Sequence, residues 1–218
     1  MFTQPFFTGG AQPRWGKGET AYWLPLLALY TGARPEELVQ LVLADIREDT
    51  TSGRWLLDLQ ARSLHPEKGA QRLKTDKKGS GGRIIPVPLP LLSLNFLAYV
   101  RYLKEQGSEA LFPLLRVRNK FGRLYSSFGE KWCRHLYDEG ILVEGTGRQP
   151  MREFRHTWTT AARASGIPKD ARDYIQGHKS SGNANDDYGD RRPLGLLIDQ
   201  YQPAIDILKL VKPWQPPE

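Results

Sequence analysis

The sequence predicts a mainly α domain with a small antiparallel β-sheet. Three observations carry that expectation. Seven helical stretches are expected, several of them opening at a proline or closing at a glycine. Only two short segments, RWLLDLQ and RIIPVPLP, carry strand signals. A hydrophobic share of 39% with a charged share of 25% is ordinary for a globular chain of one core.

Residues 1 to 18 hold Gly and Pro and no periodic pattern, so they read as a tail or linker ahead of a domain spanning 19 to 212. A helix is expected from about Glu19 to Tyr30, ended by Gly32. Pro35 then suits the first position of a new helix, and Glu36 and Glu37 suit its positive N-terminal end. In EELVQLVLADI, Leu38, Leu41 and Val42 share one helical face. Trp55, Leu57 and Leu59 alternate as in a strand. A Lys- and Gly-rich stretch follows, then RIIPVPLP, a strand closed by prolines. The two read as a strand pair joined by a long basic turn.

Beyond the sheet, Leu91 to Lys104 has helical composition with Gly107 as its stop. Ser127 to Glu139 ends at Gly140, and Arg155 to Ser165 ends at Gly166. Pro168 opens a further helix through Gln176. A last apolar helix is expected over Pro203 to Val211, before a Pro-rich end at 213 to 218. No internal repeat and no long low-complexity tract interrupts this plan.

Composition narrows the function classes. The longest apolar run, Trp23 to Tyr30, contains Pro25 and is too short for a bilayer. MFTQPFFTGG lacks the basic and apolar regions of a signal peptide, and the lone Cys133 excludes an internal disulfide or a cysteine metal cage. A cytosolic location is the expectation. The net charge is +7 and the pI about 9.5, a balance that favours a polyanionic partner through counterion release. The excess gathers in two loops. Lys74, Lys77, Lys78 and Arg83 surround one Gly-rich turn, and Arg116, Arg118, Lys120 and Arg123 follow within a second short stretch. Lys77, Lys78, Arg83, Arg118 and Lys120 are the expected DNA contacts.

Five segments share a further pattern. LALYTGARPEELVQL sets Arg34 after a Thr-Gly turn, with Glu37 three residues on. LKTDKKGSGGRIIPVP holds Lys74 between the two strands. FRHTW supplies Arg155, a Gly-His pair supplies His178, and Tyr188 follows ten residues later. In this order the segments resemble the signatures of the tyrosine recombinase (phage integrase) family, and the resemblance covers about residues 20 to 210.

The resemblance implies the catalytic-domain fold of that family and its chemistry: site-specific cutting and rejoining of double-stranded DNA through a 3′-phosphotyrosyl link, with no metal or other cofactor. Arg34 and Arg155 would clamp the nonbridging phosphate oxygens. Lys74 would protonate the departing 5′ oxygen, His178 would hydrogen-bond the phosphate, and Tyr188 would attack. Glu37 and His156 would support them. Lys77 and Lys78 compete with Lys74 for the acid's role. Tyr174 and Tyr201 compete with Tyr188, but neither follows the Gly-His pair at the family spacing.

Two departures qualify the match. Three residues before Arg155 the family carries a histidine or lysine, and here Arg152 stands there, which donates hydrogen bonds but is no base near neutral pH. Asp186, Asp187 and Asp190 crowd the tyrosine and read as a solvated acidic loop; a metal-dependent nuclease, the rival reading, would be separated by EDTA. The family's N-terminal clamp domain has no counterpart in residues 1 to 18. The expected partner is DNA, with family-typical tetramers on DNA and a monomer without it. A catalytically impaired DNA-binding module and a type IB topoisomerase are the alternatives.

Overall fold

A computed structural model describes residues 1–74, 82–143, 145–147, 149–178 and 202–217. At its centre is α1 (Thr20–Thr31), in which every residue is buried. Its sequence is apolar all round, as suits a helix surrounded by protein. It ends at Gly32, whose left-handed φ of 61° lets its N–H reach the Ala28 carbonyl. A Cβ on Gly32 would stand 2.8 Å from the Trp158 ring, so only glycine lets α1 end this close to its neighbour.

Helix α2 (Pro35–Val39) opens at Pro35 as expected but stops after five residues. Leu41 and Val42 do not continue it. Their backbone pairs with the 109–111 segment instead, through Leu111 N to Leu41 O at 3.0 Å and Leu43 N to Glu109 O at 2.7 Å. Asp45 fixes the turn by accepting from Val42 N at 3.0 Å.

Strands β1 (Ile46–Glu48), β2 (Trp55–Leu59) and β5 (Arg83–Pro86) form an antiparallel sheet in the order β1-β2-β5. Leu57 lies opposite both Ile46 and Ile85 and is wholly buried. The stretch expected as one long basic turn contains a second hairpin, β3 (Leu64–His65) with β4 (Gly69–Ala70). Side chains hold that hairpin. The Gln40 amide bonds both the N–H and the carbonyl of Arg72, each at 3.0 Å. Asp45 accepts from Gln71 at 2.7 Å and from the Ser63 hydroxyl. Two-residue strands fixed by polar side chains leave no periodic trace in the sequence.

The helix expected over 91 to 104 is two, α3 (Leu89–Ser93) and α4 (Phe96–Glu105), separated at Asn95 with φ of 68°. Then come α5 (Tyr125–Asp138), α6 (Pro150–Ala164) and α7 (Lys169–Gln176). Helix α6 packs along α1 with Met151, Phe154, Trp158 and Ala162 inward.

Both chain ends differ from expectation. Residues 1 to 18 are no free tail: Phe6 and Phe7 are buried in the core, and Phe6 meets Trp15 and Trp132 edge-on. The Pro-rich end docks as well. Trp214 is buried against Tyr99 and Tyr102, and Asn95 Nδ2 donates to its carbonyl at 3.0 Å. Phe7 O accepts from Lys212 N at 2.8 Å, so the two ends lie together. Over 203–211 the structure has only a 3₁₀ turn, Leu208–Leu210, rather than an α-helix. Ile205, Ile207 and Leu208 are partly buried against the core, and Ile205 O accepts from the Tyr30 hydroxyl at 3.4 Å. Among the described residues no helix is long and apolar enough to cross a membrane.

Candidate active site

Arg155 stands on α6 where three chain segments converge. It donates to Gly32 O at 2.6 Å and to Gln176 O at 2.7 Å, carbonyls left free at the ends of α1 and α7. Helix C-termini carry partial negative charge, so a guanidinium between two of them is well placed. The same Nη2 lies 2.7 Å from His178 Nε2. Burial, then the neighbouring Arg34 charge, pushes the Arg155 guanidinium down to about 9, and it stays cationic at neutral pH. Its Nε–H has no bond among the described residues.

Arg34 reaches the cluster from the turn after α1. Its Nη1 donates to Glu37 Oε1 at 2.9 Å, and its backbone N–H to Glu37 Oε2 at 3.2 Å. Glu37 is buried and meets a second cation, Arg83 Nη2, at 2.8 Å. Burial raises the Glu37 carboxyl, but the charges and hydrogen bonds of Arg83 and Arg34 outweigh it and hold the group below its ordinary range. Glu37 thus holds Arg34 and Arg83 in place.

Arg83, expected among the DNA contacts, is only 2% exposed. Besides pairing with Glu37, its Nε donates to Ile175 O at 2.6 Å, so it joins β5, α2 and the end of α7. Gly177 is what makes room: its φ is 63°, and a Cβ there would stand 2.6 Å from Arg83 Nη1.

Helix α7 is fixed on both sides. The Tyr174 hydroxyl exchanges hydrogen bonds with Ile84 N and O at 3.3 and 3.2 Å, so this tyrosine anchors α7 to the sheet. Buried Gln176 donates to Thr159 Oγ1 at 2.8 Å and so ties α7 to α6. His178 follows at the helix end, its Nδ1 3.3 Å from Asp173 Oδ1, and Asp173 is paired with Lys169 at 2.5 Å. Asp173 and Gln176 escaped the sequence reading, because nothing about a polar residue near the end of a short helix marks it as support for a histidine.

The tautomer of His178 follows from its partners. Nε2 faces a donor that has no lone pair, so Nε2 accepts and the proton sits on Nδ1, donating to Asp173. Burial, then the Arg155 charge, lowers the His178 pKa, partly opposed by Asp173. The imidazole is therefore expected to titrate below the ordinary value of about 6.5. Replacing Arg155 by Gln is expected to move the midpoint upward, and an NMR titration of the ring Cε1–H checks both. Because the folded value is the lower one, His178 contributes no loss of stability above about pH 6.5; the loss begins as pH falls through that value.

The other expected residues make no hydrogen bond or ion pair with this cluster among the described residues, or fall outside them. Lys74 is exposed at the end of the segment that Gln40 holds through Arg72. Lys77, Lys78 and Tyr188 fall outside the described residues. Arg152 and His156 are exposed on α6 and make no hydrogen bond or ion pair among the described residues. Arg118 and Lys120 are exposed on the loop before α5. Comparison with protein-family models, with curated proteins and with solved structures returned no match.

Proposed function

We propose that the chain carries the catalytic core of a tyrosine-type, site-specific DNA recombinase, with the catalytic-domain fold of that family. The observation that supports this best is the Arg155 cluster. Arg34, Arg155 and His178 come from three distant segments, and Glu37, Arg83 and Asp173 hold them in place. Cations gathered at one partly exposed point, with their carboxylate buried beneath, suit the charge of a phosphodiester in its transition state.

In this reading Arg34 and the unused Nε–H face of Arg155 bind the nonbridging oxygens. The Tyr188 oxygen attacks phosphorus while the bond to the 5′ oxygen breaks. Lys74 gives its proton to that leaving oxygen, and the tyrosine proton passes to solvent. Rejoining runs the same step backwards with a 5′ hydroxyl from another strand. Arg152 supplies positive charge at the rim of the site rather than a base.

Nicked duplexes that lose a short 5′ fragment after cleavage test the proposal, because the covalent product then accumulates. In EDTA the chain is expected to form a DNA-linked species that survives denaturation, and Tyr188→Phe is expected to form none. An adduct that persists in Tyr188→Phe would move the nucleophile elsewhere. Duplex binding with no adduct at all would leave a DNA-binding module.

A further inference from the structure

The loop before α5 reads RVRNKFGR over residues 116–123, with four cations and no acid. It is a built turn. Asn119 Oδ1 accepts from Phe121 N at 3.0 Å and Arg123 N at 3.2 Å, while its Nδ2 donates to Arg123 O at 2.6 Å. Both flanks are fixed to the body of the protein. Val117 N donates to Glu67 Oε1 at 3.1 Å, and Leu124 N to Glu36 Oε1 at 3.2 Å. Glu36 also accepts from Tyr125 N at 3.0 Å and is neutralised by Lys68 at 2.6 Å.

What this turn presents is Phe121, 67% exposed, the one large aromatic side chain among the strongly exposed apolar residues described. Lys120 Nζ and Arg123 Cζ lie 5.3 and 5.6 Å from its ring centroid. Among the described residues, Arg118, Lys120 and Arg123 have no acidic partner, whereas Arg116 lies 3.7 Å from Glu67. The turn thus sets an exposed aromatic face among three cations that have no acidic partner among the described residues, a combination that suits a polyanion with flat apolar groups.

We infer that Phe121 is a duplex DNA contact of the wedge kind, pressing its ring into a base step while Arg118, Lys120 and Arg123 bind the flanking phosphates. A partly unstacked step offers a flat apolar face whatever its sequence, and unlike a phosphate contact this one releases no counterion. This inference rests on the DNA-binding part of the proposed function and adds a contact remote in sequence from the Arg155 cluster.

The test is fluorescence anisotropy with a fluorescein-labelled duplex of mixed sequence, titrated with the full chain between about 50 and 200 mM salt. Phe121→Ala is expected to weaken binding about tenfold while leaving the slope of log affinity against log salt unchanged. Phe121→Trp is expected to restore it. Lys120→Ala and Arg123→Ala are each expected to reduce that slope by about one. Because the ring is exposed, the thermal midpoint of Phe121→Ala should match that of the parent, which separates lost contact from lost fold. Parent binding with Phe121→Ala within twofold of it would overturn the inference alone and leave the ring as a docking point for a protein. No duplex binding by the parent at low salt would overturn the DNA-binding reading and this inference together.

Discussion

Glu37→Gln is expected to cost about 3–5 kcal/mol of stability and to lower the thermal midpoint by roughly 10 °C. The change is isosteric and adds no clash, so the loss is electrostatic. Arg83 is 1% exposed at its side chain and has no other carboxylate partner among the described residues; without the Glu37 charge, a guanidinium is left buried and uncompensated. Arg34, partly exposed, loses its bond at 2.9 Å but regains water, so its share is smaller. The same pair sets an acid limit. The folded carboxyl lies below its ordinary value of 4.5, so its contribution is complete above that pH and disappears as pH falls through the lower folded value. Thermal melts of parent and variant at neutral pH and near pH 3 are the check, and the gap between them should narrow at the acid end. A gap that stays constant would mean that packing, not the ion pair, holds α2 against β5.

The limits of the sequence reading have physical causes visible at these same residues. Arg34 and His178 were singled out by their place in the five ordered segments, and in the structure each comes just after a left-handed glycine, Gly32 and Gly177. Helix α1 was legible because nothing competes with its apolar run, and β2 because Leu57 and Leu59 alternate inward. Arg83 was not. It closes a Lys- and Gly-rich stretch of the sequence, and only its register opposite Leu59 carries it beneath Glu37 rather than into solvent. The Phe6–Phe7 pair was missed because a single 3₁₀ turn has no period to detect. The expected helix over 203–211 illustrates the reverse error. Its apolar residues suggested a helix, but Trp214, Tyr22 and Phe7 hold the following segment extended through side-chain and backbone bonds that composition does not encode. Paired strands and buried ion pairs depend on partners distant in the chain; turns depend on their own residues.

Arg155→Lys is expected to lower the rate of adduct formation by at least a hundredfold while duplex affinity at low salt stays within twofold. Charge is conserved, so long-range attraction to DNA is nearly unchanged. Geometry is not conserved. A planar guanidinium bonds Gly32 O, Gln176 O and His178 Nε2 in the free protein through Nη1 and Nη2 alone, and its Nε–H makes no bond among the described residues. An ammonium on a shorter reach cannot keep both carbonyls and also address a phosphate. The variant should be less stable by ~2 kcal/mol or more, since charge-assisted bonds are lost, and the assay therefore belongs well below both melting temperatures. There a structural role and a chemical one separate. If Arg155 only joins α1 to α7, the folded variant cleaves at nearly the parent rate. If it also holds the phosphate, the rate falls while the folded fraction does not. The His178 titration gives an independent reading, because a displaced cation relieves the pressure on the imidazole and its midpoint shifts upward even where no DNA is present.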